Sequence, residues 1–464
     1  MNTRKETDSM GIIDVPDDAL WGAQTQRSLQ NFRIGTQGLN SQQFPPPFIY
    51  AFAQVKKSAA LANHELGKLP DTVCHLITQA CDEIINGQHD NQFPLVIWQT
   101  GSGTQTNMNL NEVIANRANE LAGKTRGEKS PVHPNDHVNL SQSSNDVFPT
   151  VMHVVVAQVL QQQLLPALDY LLHVLEEKKR AFDKVIKIGR THMMDATPIT
   201  LGQEFSGYQH QVLYAREQIA AVLPNIQSLA IGGSAVGTGL NTPSRWCETV
   251  IKYLSELTGI NFSSADNKFM ALAGHEALTD LQGRLRLLAT SLFKIGSDMR
   301  LMASGPRCGL AEIILPGNEP GSSIMPGKVN PTQIEALTMV AIQVMGNDAA
   351  VGFANSQGQF ELNVYKPLIF RNVFESATLL ADAINSFTEH CVKGIQANEK
   401  QLAHYVENSL MLVTALTPVI GYDKAAESAK LAYENNLSLK QAVLHLGFMS
   451  AEAFDAAVKP GKMI

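Results

Sequence analysis

Apolar residues recur three and four positions apart over long stretches of this chain. The clearest run is Leu278, Leu281, Leu285, Leu288, Leu292, Ile295, Met299 and Met302. Alternating steps of this kind keep one apolar stripe turned toward a neighbouring helix. The run therefore predicts a long helix over 278–302 with a packed seam. Residues 369–391 repeat the theme with Ile369, Val373, Ala377, Leu380, Ile384, Phe387 and Cys391. A third helix is predicted over 151–182, kinked or divided at Pro166, whose ring cannot continue the backbone ladder. Several such helices in one region make a bundle. A single chain would expose much of these apolar faces, so the seams predict association between copies.

The pattern changes twice along the chain. Residues 1–145 mix short helical patches with turns rich in Gly and Pro, such as Gly101-Ser102-Gly103-Thr104 and Ser130-Pro131-Val132-His133-Pro134-Asn135-Asp136. Residues 146–395 carry the long helices. Residues 396–464 are shorter and more polar, divided by Gly421 and Gly447 into small helices. The expectation is an all-α chain of three parts: an N-terminal mainly helical domain, a central long-helix bundle and a small C-terminal helical domain.

Composition narrows the class of function. The chain has 464 residues, 44% hydrophobic and 17% charged, which is a globular composition with a large core. A net charge of −7 gives no electrostatic reason to expect nucleic acid. The five cysteines form no CxxC pair and are odd in number, which fits a reducing compartment. The start, Met1-Asn2-Thr3-Arg4-Lys5-Glu6, lacks the apolar run of a signal peptide. No stretch approaches ~18 uninterrupted apolar residues, so no membrane partner is expected. A cytoplasmic enzyme is the simplest expectation.

Chemistry concentrates where helices are interrupted. Residues 316–331 read Pro-Gly-Asn-Glu-Pro-Gly-Ser-Ser-Ile-Met-Pro-Gly-Lys-Val-Asn-Pro. So many glycines and prolines cannot form bundle helix, and a loop or lid is expected. It carries the hydroxyls of Ser322 and Ser323, the cation of Lys328 and the amide of Asn330. Asn330-Pro331 predicts an N-cap followed by proline at the first helical position. Backbone N–H groups and a positive dipole end would then lie beside the lid, an environment suited to a carboxylate.

The stretch Gly321–Pro331 resembles the signature of the fumarase/aspartase superfamily, whose members break C–N or C–O bonds beside a carboxylate and release fumarate. Gly101-Ser102-Gly103-Thr104-Gln105-Thr106-Asn107-Met108-Asn109, Ser141-Gln142-Ser143-Ser144-Asn145-Asp146 and Gly189-Arg190-Thr191-His192 resemble its other conserved regions. Aspartases are similar throughout but typically carry Gln where this chain has His192 and Thr where it has Ser144. The resemblance covers nearly the whole chain and is to the class II fumarases. It implies an all-α, three-domain fold in a homotetramer, no cofactor or metal, and reversible hydration of fumarate to L-malate. It also implies that Ser102, Gly103, Thr104, Ser143, Ser144, Asn145, Thr191, Ser323, Lys328, Val329 and Asn330 bind the dicarboxylate. His192 and Ser322 would be the catalytic pair, with Glu335 polarising His192. His133, Pro134, Asn135 and Asp136 resemble a second dicarboxylate site. Some relatives have a basic residue three positions before that histidine; here the position is Ser130, with Lys129 beside it.

The reaction needs such a set for its own reasons. Taking a proton from carbon beside a carboxylate makes a dianionic aci-carboxylate, which survives only among hydrogen-bond donors. Lys328, Asn330 and a helix end can supply them. A base must take the carbon proton and an acid must protonate the departing hydroxyl. Serine serves as a base only with its pKa depressed, and histidine carries protons near neutral pH.

Two other motifs are weaker. Gly232–Gly239 looks like a phosphate cradle, but it follows predicted helix and no Lys-Ser/Thr pair follows it, so a structural loop near the site is expected. His133 and His137 have metal-ligand spacing, but Pro134 intervenes and no third ligand is evident. The competing functions are aspartate ammonia-lyase, against which His192 and Ser144 argue, and a non-catalytic lyase-fold structural protein, which need not keep the full catalytic set.

Overall fold

The structure is a computed structural model that describes residues 2–36 and 42–464. It is mainly helical. The strands among the described residues pair only two by two. Near the N-terminus β1 (Thr3–Asp8) and β2 (Gly11–Pro16) form a hairpin, followed by the short helix α1 (Ala23–Asn31).

The chain folds into two compact units, each assembled from three separate stretches. The first comprises Met1–Leu165, Glu217–Leu287 and Ile342–Leu379, and the second comprises Pro166–Arg216, Leu288–Ala341 and Leu380–Ile464.

In the first unit α2 (Pro46–Glu65) packs against α3 (Asp71–Ile85) and α5 (Ser144–Val159), and α4 (Thr104–Leu121) packs against α3 and α5. The α2 helix starts with prolines, which need no N–H in the first turn. Its alanines allow close approach of neighbours. Phe44, Phe48, Phe52, Phe148 and Phe370 form one aromatic cluster there, with neighbouring rings stacked, tilted or edge-on.

The predicted 151–182 helix is two helices. It begins earlier, at Ser144, and α5 ends at Val159. A wide π-type turn over Leu160–Leu164 follows, then α6 (Leu165–Ala181). Pro166 is the cause: its ring would collide with the carbonyl four residues back, at Gln162, inside that turn.

In the second unit β3 (Ile186–Thr191) and β4 (Met194–Thr200) form a hairpin ahead of α7 (Leu201–Ala221). Periodicity did not anticipate this hairpin, because Gly189-Arg190-Thr191-His192 shows no alternation of apolar and polar residues. Residues 410–463 have a small core of their own around Leu412, Leu416, Leu439, Val443 and Phe454.

Both predicted seams are helices, Glu276–Met302 and Lys366–His390. Every seam residue named above is buried within the single chain. The expectation that the seams themselves lie bare until copies associate is therefore corrected. Exposed apolar surface lies on the helix Thr332–Asn355, where Met339 is 66% and Phe353 77% exposed. By length and composition two helical stretches, Ser144–Ala181 and Thr332–Asn355, reach a mean hydropathy of 1.3, enough to cross a membrane. That qualifies the expectation from uninterrupted apolar runs. The first is mostly buried inside the fold, and the second is only one-third buried.

Leu285 is fully buried in the middle of its seam. Leu285→Ala is expected to cost about 2–5 kcal/mol, from lost transfer energy and the cavity left behind. A lower midpoint of urea unfolding at fixed protein concentration, followed by helical circular dichroism, checks it.

Candidate active site

The first unit brings two of the sequence motifs together at the starts of α4 and α5. Gly103 caps α4 with φ +77°, and a Cβ there would run into the Phe148 ring; Gly101 lies against the carbonyl of Val364. Only glycine fits this turn. It leaves the Ser102 and Thr104 hydroxyls side by side, 2.8 Å apart.

The α5 helix begins with a capping box. Ser143 Oγ accepts from Asn145 N at 3.2 Å, and Ser143 N donates to Asp146 Oδ1 at 2.9 Å. Asp146 Oδ2 accepts from Gly232 N at 2.8 Å, and Asn145 Nδ2 donates to Ala235 O at 2.7 Å. The Gly232–Gly239 segment is thus a structural loop braced against this cap, as expected. It follows the two-residue strand Ser228–Leu229 rather than a helix. Asp146 is fully buried, and burial pushes its carboxyl up to about 6.

Across the junction Asn107 Nδ2 donates to Ser144 Oγ at 3.1 Å, so the first two motifs are neighbours. Beneath them lies Lys56, a fully buried lysine that the sequence reading did not single out. Burial pulls its ammonium down to about 7, opposed by the nearby Asp146 carboxylate.

The second unit carries the other residues. Thr191 ends β3, and the turn His192–Met193 follows, with Thr191 paired to Met194. Both turn residues have positive φ, +56° and +65°. This is the two-residue hairpin turn that Asn-Gly normally fills. A histidine and a methionine there hold a backbone form costly for residues with a Cβ, and such strain gathers at functional sites. The His192 ring is exposed at the tip.

The hairpin is anchored from below. Glu312 is fully buried and takes Lys187 Nζ at 2.9 Å and Arg190 Nη2 at 2.9 Å. Lys187 also reaches Glu204 at 3.1 Å, Arg190 reaches Asp195 at 2.7 Å, and the Arg190 guanidinium lies over the Tyr405 ring. In sequence Glu312 looks like any acid near a lid. Its signal is proximity in space to Arg190, which the linear sequence hides.

In the lid Ser322 Oγ accepts from Ile324 N at 3.2 Å and Met325 N at 3.0 Å. Lys328 Nζ donates to Asn330 Oδ1 at 2.6 Å, and Asn330 Nδ2 donates to Gly321 O at 2.6 Å, closing the loop on itself. Asn330 is therefore not the helix cap that was expected. Its amide is committed to the lid, and the carbonyl of Pro331 accepts the first helical N–H groups, from Ile334 and Glu335. Lys328, Val329 and Asn330 line a cleft of ≈ 590 Å³ together with Arg300 and Asn398. Ser323 and Glu335 are exposed. Among the described residues, the side chains of His192 and Glu335 have no hydrogen-bond or ion-pair partner within one chain.

His133–Asp136 lies in the first unit at a single wide helical turn, Pro134–Val138. His133 Nδ1 accepts from Asn135 N at 3.2 Å and Asp136 N at 3.1 Å. His133, Pro134, Asn135 and Lys129 line a cleft of ≈ 330 Å³ that Glu6 and Asp8 also face. The metal-like spacing of His133 and His137 serves the backbone instead: His133 N donates to His137 Nδ1 at 2.9 Å. Burial holds His137 below its usual range, which keeps that nitrogen an acceptor.

Residues 11–346 match the family described as lyase, and residues 412–464 match the fumarase C C-terminus. The first match sets the fold among the lyases. The chain is 60% identical over 458 residues to the fumarate hydratase class II of Thermosynechococcus vestitus, covering 99% of this chain and 97% of that protein. It is 58% identical over 462 residues to the fumarate hydratase class II of Pseudomonas syringae pv. tomato, covering 100% of this chain and 98% of that one. The crystal structure of class II fumarase from Schistosoma mansoni matches with a TM-score of 0.96 at 47% identity, covering 100% and 99% of the two chains. The chain belongs to the class II fumarate hydratase family.

Removing the buried Glu312 carboxylate leaves Arg190 short of a partner and Lys187 with only Glu204 and the weakly accepting Met302 sulfur among the described residues. Glu312→Ala is expected to cost roughly 3–5 kcal/mol, the usual result of breaking a buried ion pair. Denaturant unfolding at neutral pH, compared with Asp195→Ala at the exposed end of the same network, measures it.

Proposed function

We propose that this protein catalyses the reversible, stereospecific hydration of fumarate to L-malate through an aci-carboxylate carbanion, a step of the tricarboxylic acid cycle. The observation that carries the reading is the lid, where Ser322 Oγ already takes two backbone N–H bonds beside the Lys328–Asn330 pair. Hydrogen bonds to the oxygen and a nearby cation both favour the ionised form of a weak acid. That is what a serine needs in order to take a proton from carbon.

In the dehydrating direction Ser322 removes the carbon proton. Lys328, Asn330 and the N–H groups at the start of the 332–355 helix hold the resulting dianion. The hydroxyl leaves as water after taking a proton from His192, which Glu335 orients. Hydration runs the same steps backwards. Ser102, Gly103, Thr104, Ser143, Ser144, Asn145 and Thr191 seat the two carboxylates, and Ser323 and Val329 contact substrate from the lid. No cofactor or metal takes part. His133, Pro134, Asn135 and Asp136 form a second dicarboxylate site, weakened by Ser130 and by the acids Glu6 and Asp8 in its cleft.

The same reading includes assembly. Three domains, 1–145, 146–395 and 396–464, associate as a cytoplasmic homotetramer whose active sites are composite. Support comes from the bare apolar face around Met339, Ile342 and Phe353 and from the His192 and Glu335 side chains, which among the described residues of one chain have no hydrogen-bond or ion-pair partner. The 332–355 helix also carries Gln333, Gln343 and Asn347, bonded to neighbouring polar groups, which suits a protein interface better than lipid.

Fumarate absorbance with L-malate supplied tests the activity. Ser322→Ala is expected to lower kcat by about 10²–10⁴ with the helical fold intact. A raised KM with kcat unchanged would remove Ser322 from the role of base. Light scattering is expected to give four chains per particle, and a fully active monomer would defeat the composite site.

A further inference from the structure

We propose that Lys56 is a positioning residue that fixes the direction of a buried hydrogen-bond chain and so turns the Ser144 hydroxyl hydrogen outward to the substrate carboxylate. The inference rests on the fumarate hydratase reading above. Lys56 lies on α2, fully buried, with no carboxylate in hydrogen-bond contact among the described residues. Its Nζ donates to Asn139 Oδ1 and to Gln142 Oε1, each at 3.0 Å.

The chain of consequences follows from which groups can donate. With N–H groups directed at both, Nζ holds the two side-chain amides with their oxygens toward it. Gln142 is then locked, its Nε2 donating to Val138 O at 3.0 Å and Leu140 O at 3.1 Å. Asn139 Oδ1, held as an acceptor, also receives Asn107 Nδ2 at 3.1 Å and Asn111 Nδ2 at 3.2 Å. That sets the Asn107 amide with its nitrogen toward Ser144, where it donates to Oγ at 3.1 Å. A hydroxyl oxygen that accepts from this side must point its own hydrogen elsewhere. At the start of α5, where the carboxylate seat is proposed, that leaves the hydrogen free to meet the substrate.

Without the ammonium the ordering is lost. Only the 3.3 Å bond from Asn139 Nδ2 to Gln142 O then opposes a half-turn of the Asn139 amide, and Asn107 can follow it. Asn107 Oδ1, which is buried and has no partner in this arrangement, would then accept the Ser144 hydrogen itself. The seat would lose a donor to a charged group. Because the carboxylate is held equally in substrate and transition state, the loss falls on KM rather than kcat.

The test is Lys56→Met, which keeps length and removes the donor. KM for fumarate and the inhibition constant of succinate are expected to rise about tenfold or more, with kcat within a few-fold. Leu285→Ala, in the buried 278–302 seam, is the control that lowers stability without moving KM. Should Lys56→Met fail to fold, the Asn139 pair decides. Asn139→Asp keeps the acceptor oxygen and loses the 3.3 Å bond from Nδ2 to Gln142 O, so it should raise KM less than Asn139→Leu does. An unchanged KM in folded Lys56→Met, or equal KM values in the two Asn139 variants, overturns the proposal. A parent protein that does not hydrate fumarate would instead overturn the function on which it rests.

Discussion

A helix satisfies its own backbone everywhere but at its ends, where four N–H groups or four carbonyls are left over. In a chain built almost entirely of helices, this confines polar binding chemistry to helix ends and the loops between them. Ser102–Thr104 sits at the start of α4, Ser143–Asn145 at the start of α5, and Lys328–Asn330 immediately before the 332–355 helix. Each presents N-terminal N–H groups, the positive end of the helix dipole. The one exception, Thr191–His192, sits at the tip of a hairpin, where the proposed role of His192 is to carry a proton. The helical architecture thus selects for an anionic ligand before any side chain is considered.

That arrangement has to be stiff, and the stiffening is done by charges that would ordinarily be costly to bury. Asp146 ties the α5 cap to the Gly232 loop, Lys56 orders the amides beneath it, and Glu312 fastens the β3–β4 hairpin. Each is held by specific hydrogen-bond or ion-pair partners. A buried charge lost from such a site leaves uncompensated neighbours, so the penalty for disorder is steep. An apolar core of the same volume could be as stable, but it could not dictate which way an amide or a hydroxyl points.

Much of this was legible in the sequence, because helical periodicity and Gly/Pro interruptions act locally. The seams at 278–302 and 369–391 fall where predicted, every named residue is buried, and Pro166 does break its helix. The lid was visible from its glycines and prolines. What escaped was whatever depends on contacts between distant residues. Lys56 on an alanine-rich helix reads as a surface lysine, since its partners are more than eighty positions away. Glu312 meets Arg190 across 122 positions. Asn330 followed the cap pattern but was diverted, because Lys328 and Gly321 offered its amide closer partners than the helix did.

The helix Thr332–Asn355 joins the site to the proposed assembly. Its first turn carries Glu335 and its middle carries the bare side chains of Met339 and Ile342. These positions are four and three residues apart, so they follow one another along one face of the helix. A second helix laid over the apolar side chains would also come within reach of the carboxylate. Covering the apolar face lowers the dielectric around Glu335, which strengthens its pull on a histidine brought in by a neighbouring copy. In the proposed assembly one surface would supply both the drive to associate and the setting in which the proposed proton carrier is oriented. In the proposed tetramer, catalysis and assembly would be lost together when that face is altered, even though no residue of the apolar patch touches the substrate.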